Sequence, residues 1–272
     1  MRGAARRGDD PATVPARGAP AAATSSLLRI RNMTKTFPDG AGAVTVFEGA
    51  ALEMRAAGQV GVYGKRRSGK STLLRIAAGI EPPDEGMVLF QGEDLTCLTG
   101  TERARLLRSH LAYIAVADWR PNPGETIVQH LAVSLGGAGR TVREAEHRAL
   151  HELEAVGVSA AQAHSLATKL SMMDRMRVMF ARALAREPDL LVIDDPVVTA
   201  SASERDELYL LLRTLTRQRG IGLLVASDDL PALQGFDVFM SISARELCSS
   251  DGSAEVVPFP SPPSLGPAVI GS

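Results

Sequence analysis

Cysteine is almost missing from this chain: Cys97 and Cys248 stand far apart, with no histidine or second cysteine at metal-ligand spacing. That argues against a disulfide framework and a thiolate metal site, and it fits a reducing compartment. Long apolar runs are missing too. None approaches the ~18–20 residues that a helix needs to span a bilayer, so no direct membrane insertion is expected, and any membrane association must come through a partner. The arginines among residues 1–26 have no apolar stretch behind them, so this segment is not expected to be a signal peptide. Net charge is nearly absent, at -1, and offers no general attraction to nucleic acid or anionic lipid. No nucleic-acid partner is expected. Lysine is scarce, at Lys35, Lys65, Lys70 and Lys169 only, and arginine takes its place elsewhere. With the abundant alanine, that bias reads as GC-rich codon usage rather than as function.

What is there has the balance of an ordinary globular protein, 45% hydrophobic and 22% charged over 272 residues, enough for one sizeable core. Residues 1–26 and 249–272 are rich in small residues and proline, cannot offset ordering entropy by burial, and are expected to be disordered tails. The folded part is expected over 27–248. Short apolar runs at 60–63, 111–116, 190–193 and 222–226 alternate with helical patterns. One helix is expected from Ser71 to Gly79, the glycine closing it. Another spans 203–217, with leucines at 208, 211, 212 and 215, Ser203 as N-cap, and Glu204 and Asp206 in the first turn. Apolar strands separated by helices imply a parallel sheet covered on both faces. Residues 27–54 alternate like strands around Pro38-Asp39-Gly40 and form an expected antiparallel β layer, and about 117–187 reads as a helical subdomain. The expected class is therefore α/β.

Between 64 and 71 the chain reads Gly64-Lys65-Arg66-Arg67-Ser68-Gly69-Lys70-Ser71, the G-x-x-x-x-G-K-[ST] pattern of a P-loop. Glycines let the backbone curl until its N–H groups form an anion nest. Lys70 would reach the β- and γ-phosphates, Ser71 would ligate Mg²⁺, and the helix that follows would aim its dipole at the same phosphates. The expected ligand is Mg-ATP, held from Gly64 to Thr72. A second element agrees: the apolar strand 190–193 ends in Asp194-Asp195, which places Asp194 to hold Mg²⁺ opposite Ser71.

The order of elements over about 27–248 resembles the nucleotide-binding subunit of an ABC transporter, a P-loop NTPase with a RecA-like core. The likeness is densest in Leu170-Ser171-Met172-Met173-Asp174, where the family carries LSGGQ, and in Ala181-Arg182-Ala183-Leu184 with Pro188-Asp189 leading into the strand. The segments 94–108 and 111–113 are similar to the group that serves lipoprotein- or macrolide-exporting permeases, or the division permease. The resemblance implies that Phe37 stacks on adenine, although Phe37 also reads as an ordinary half-buried strand residue. It implies a homo- or heterodimer in which two such subunits sandwich two ATP molecules. Ser171 would then meet the partner's nucleotide in trans. It further implies membrane permease subunits as partners and a cytoplasmic place on the inner face of a bacterial membrane. Substrate and direction reside in the permease.

This sequence departs from the family pattern where hydrolysis is concerned. Val116 stands at the Q-loop glutamine, Ser201 at the D-loop aspartate, and Ala226-Ser227 at the switch histidine. Asp195 stands at the catalytic glutamate and is the candidate general base, one methylene short. A base displaced by ~1 Å costs on the order of 10²-fold. Met172 and Met173 replace the signature glycines and would obstruct close approach to a phosphate. Asp174 adds a negative charge, and Ser171 with Asp174 also reads as a plain capping box, S-x-x-D. Because one chain carries both kinds of defect, each composite site in any dimer has at least one. Tight ATP binding with slow turnover is expected. A nucleotide switch without meaningful hydrolysis remains the alternative. Trp119, with Pro121 and Pro123, reads equally as a docking-groove wall or as a core residue. A DNA-repair or translation protein would need a coiled-coil insertion or a second cassette, and the chain has neither.

Overall fold

The computed structural model describes residues 26–40, 42–115, 119–136, 141–194, 201–243 and 246–249. The expected tails up to 25 and from 250 lie outside them. Strands β1 (Ser26–Asp39) and β2 (Gly42–Arg55) form the expected hairpin. With β4 (Glu85–Phe90) and β5 (Glu93–Asp94) they make a sheet of order β2-β1-β4-β5, antiparallel throughout. β1 begins one residue inside the expected N-terminal tail.

The second sheet has the order β10-β9-β3-β8-β7-β6. Its members are β3 (Gln59–Tyr63), β6 (Leu111–Ala115), β7 (Leu190–Asp194), β8 (Gly222–Ser227), β9 (Val238–Ser243) and β10 (Glu246–Ser249). The four expected apolar runs are β3, β6, β7 and β8; they pair in parallel with one another, β3 also pairs in parallel with β9, and β10 turns back antiparallel on the edge. Period-two packing splits the core in two. Leu190 and Val192 of β7 pack in the cluster that holds α1 (Lys70–Ala77). Leu191 and Ile193 pack in the cluster that holds α6 (Met172–Leu184). The two helices therefore lie on opposite faces of one sheet. Each such aliphatic side chain, fully buried, contributes about 1.5–3 kcal/mol.

The remaining helices are α2 (Gly100–Ser109), α3 (Ile127–Leu135), α4 (Val142–Ala155), α5 (Ala160–Ala163) and α7 (Ala202–Arg219). α3, α4 and α5, with α6, lie within the 117–187 stretch. α7 corrects one detail: its N-cap is Ser201, not Ser203. Glu204 lies three residues beyond Ser201, and the two side chains satisfy each other's backbone N–H. From Ser203 the matching residue would be Asp206, a shorter acid, and with α7 starting at Ala202 the first turn holds Glu204 alone.

Candidate functional site

β3 delivers the chain to Gly64, whose N–H donates to the carbonyl of Ser227 at the end of the neighbouring β8, 3.1 Å away. The loop then closes on itself, with Ser68 N–H donating to the Lys65 carbonyl at 3.1 Å and Arg67 in the left-handed region at φ 62. Lys65, Arg66 and Arg67 are exposed. Lys70 turns back into the curl, its Nζ 2.7 Å from the Gly64 carbonyl and 3.1 Å from that of Lys65. Only 7% of Lys70 is exposed.

Geometry disfavours a side chain at both glycines. A Cβ on Gly64 would collide with Ser68 Oγ, and one on Gly69 would lie 2.5 Å from Val46 Cγ1 and 2.9 Å from Phe47 Cε2. Gly69 also has φ 102, so an L side chain there is strained. β2 thus supports the loop from beneath. α1 starts on this glycine with no side-chain cap, so no side chain claims its first-turn N–H groups. The Ser68 hydroxyl is buried without a hydrogen-bond partner. Ser71 is half-buried on α1 and Thr72 is 7% exposed.

Asp194 ends β7 with the same side-chain parity as Leu190 and Val192, and so faces the α1 side. α1 itself packs on β7 and β8. Sequence reasoning missed its companion: Tyr113 of β6 donates its phenol proton to Asp194 Oδ2 at 3.2 Å. The signal was strand register, Tyr113 beside Val192, which local patterning does not give. An ammonium, an uncapped helix start, a hydroxyl and a carboxylate gathered on one face fit a polyphosphate with a hard, oxygen-seeking cation. Among the described residues, no group of three or more His, Cys, Asp or Glu forms a metal cluster by itself.

Other expected residues fall elsewhere. Phe37 is half-buried near the hairpin turn, opposite Val44, with the Lys35 ammonium 5.4 Å from its ring centroid. Burial opposes the Lys35 charge, but bonds to Asp84 and Glu81 outweigh it and hold the ammonium above its ordinary pKa. Ser171 is the N-cap of α6, accepting from Asp174 N–H at 3.1 Å and donating to Asp174 Oδ2 at 2.7 Å. The helix-start reading of this pair is realised through the hydroxyl. Met172 and Met173 form the first turn behind it, and Met173 packs into the α6 core. Ser227 is 2% exposed, and its Oγ accepts from Asp229 N–H at 3.1 Å. Trp119 packs against the helical core, its ring edge-on to His130 at 5.0 Å. Val116 and Asp195 lie outside the described residues.

A family model described as ABC transporter matches residues 47–198. The lipoprotein-releasing system ATP-binding protein LolD of Shewanella frigidimarina (strain NCIMB 400) is 31% identical over 240 residues, 88% of this chain and 97% of that one. LolD of Pseudomonas syringae pv. tomato (strain ATCC BAA-871 / DC3000) is 29% identical over 222 residues, covering 82% of this chain and 97% of the relative. Among solved structures, a dimeric ATP-binding cassette in a post-hydrolysis state, bound to ADP and Pi, superposes with a TM-score of 0.73. It is 23% identical and covers 81% of this chain and 96% of its own, a likeness of fold. No described helix is long and apolar enough to cross a membrane.

Proposed function

The chain belongs to the ABC transporter family, and we propose that within it the protein is an ATP-binding subunit that takes Mg-ATP between Gly64 and Thr72 and couples it to membrane permease subunits. The observation that carries this reading is the shaped anion cradle. Lys70 is held inside the loop beside the uncapped start of α1, on the face that also bears Asp194. Ser71 and Asp194 would hold Mg²⁺, and the cation would neutralise phosphate charge. Phe37 would face adenine. Likeness to the lipoprotein-releasing ATP-binding proteins supports a pair of such subunits, identical or not, beneath permease subunits on the inner face of a bacterial membrane.

Hydrolysis in this reading is slow. Ser201 and Ser227 engage their hydroxyls with nearby backbone N–H groups, and the Val116 side chain carries no oxygen. Asp195 is left as a short base. A second reading, a nucleotide switch without turnover, is favoured by one observation: the Ser171 hydroxyl is already closed on Asp174.

The test pairs Mg-ATP affinity with steady-state turnover in the wild type and in Lys70→Ala. Binding that is lost by at least about 10²-fold in the variant, with slow Lys70-dependent turnover, is the expected result. Turnover at ordinary enzyme rates, on the order of 10 per second, overturns slow hydrolysis. Hydrolysis at background even with permease present selects the switch. No ATP binding overturns the whole reading.

A further inference from the structure

We propose that Tyr113 is a positioning residue for the metal site, its phenol fixing the plane of the Asp194 carboxylate so that one oxygen is presented to the cation. This rests on the P-loop reading above and deepens it. The argument begins with register. β6 and β7 run parallel with Tyr113 beside Val192 and Ala115 beside Asp194. Tyr113 packs with the cluster under α1, as Leu111 of the same strand does, so its ring lies on the face toward which Asp194 points. Running along Val192, the ring brings its hydroxyl to the carboxylate two residues further on, where it donates to Oδ2 at 3.2 Å.

A carboxylate at the end of a strand turns about two side-chain torsions, and the terminal one is broad. A donor on one oxygen narrows that freedom and leaves Oδ1 outside the bond. A phenol carries no positive charge, so it orients the carboxylate without cancelling the charge a cation needs, as an arginine there would. The residue that ends the 111–116 run, Val116, has no oxygen in its side chain. Partners that orient a metal ligand typically carry 10–100-fold in metal affinity.

The experiment measures ATP affinity without metal, and then titrates Mn²⁺ into the protein–ATP complex by electron paramagnetic resonance. The proteins are wild type, Tyr113→Phe and Asp194→Asn. Phenylalanine keeps the ring and its packing, and metal-free ATP affinity reports an intact loop. The expected result is unchanged metal-free ATP binding in Tyr113→Phe, with Mn²⁺ held about tenfold more weakly and Asp194→Asn weaker still. Mn²⁺ affinity within about twofold of wild type in Tyr113→Phe would overturn the assignment. If Asp194→Asn also leaves Mn²⁺ affinity intact, the metal reading beneath it falls as well. If the wild type binds no ATP, the loop reading is what has failed.

Discussion

Two helices on opposite faces of the parallel sheet begin in opposite ways. α1 starts on Gly69, left-handed and without a side chain to receive the first-turn N–H groups. α6 starts on Ser171, whose hydroxyl already accepts from Asp174 N–H. The other described α-helices follow the second pattern, capped by Thr99, Thr126, Thr141, Ser159 and Ser201. Every helix has a positive N-terminal end, but that end attracts an anion only where its N–H groups are unclaimed. In this chain the cap, more than the dipole, separates the helix start proposed for a ligand from the helix starts spent on the fold. The same contrast matches the glycines at 64 and 69 in the loop and Met172 and Met173 in the first turn of the capped α6.

The strongest way to break the contrast is Gly69→Ala. The added Cβ meets Val46 and Phe47 and sits at a left-handed φ, a strain of about 1–3 kcal/mol. ATP affinity should fall at least about tenfold with the fold retained, as calorimetry and circular dichroism would report. Wild-type affinity would mean that the open helix start is not what binds.

A smaller effect sharpens the other side. Ser171→Ala removes the α6 cap and should cost about 1 kcal/mol of stability. That lowers the melting temperature by roughly 2–4 °C without changing ATP affinity in the isolated subunit. A parallel loss of ATP affinity would show that α6 touches nucleotide after all.

The smallest effect concerns the strand that carries Phe37. Asp84 accepts from Thr36 N–H at 2.7 Å and from Lys35 Nζ at 3.0 Å, and those bonds hold its carboxyl below the ordinary pKa. Its contribution is present above the unfolded carboxylate pKa and is lost as pH falls through the lower folded value. Asp84→Asn should be slightly less stable than wild type near neutral pH, with the gap closing below about pH 4. A gap that persists unchanged in acid, in chemical denaturation curves, would remove the charge from the explanation.

The sequence is most legible where chemistry is local. The curl from Gly64 to Ser71 and the strand into Asp194 follow from residues adjacent in the chain, and the four apolar runs became β3, β6, β7 and β8. The α7 start was misplaced by two residues because two serines compete there and only the reach of the acid three positions on decides. β9 and β10 escaped notice because their Ser241, Ser243, Glu246 and Ser249 interrupt the apolar pattern. Tyr113 and Ser227 reach their partners through strand pairing, a relation no window of neighbouring residues contains.

β7 carries one more implication. Its four apolar side chains alternate between two packed interiors, so sliding the strand by one residue would exchange every one of them. The strand behaves as a keyed shaft with Asp194 at its tip. Heat-sensitive loss of cation binding should therefore arise from substitutions at Leu191 or Val192, in either interior, that never approach the cation at all.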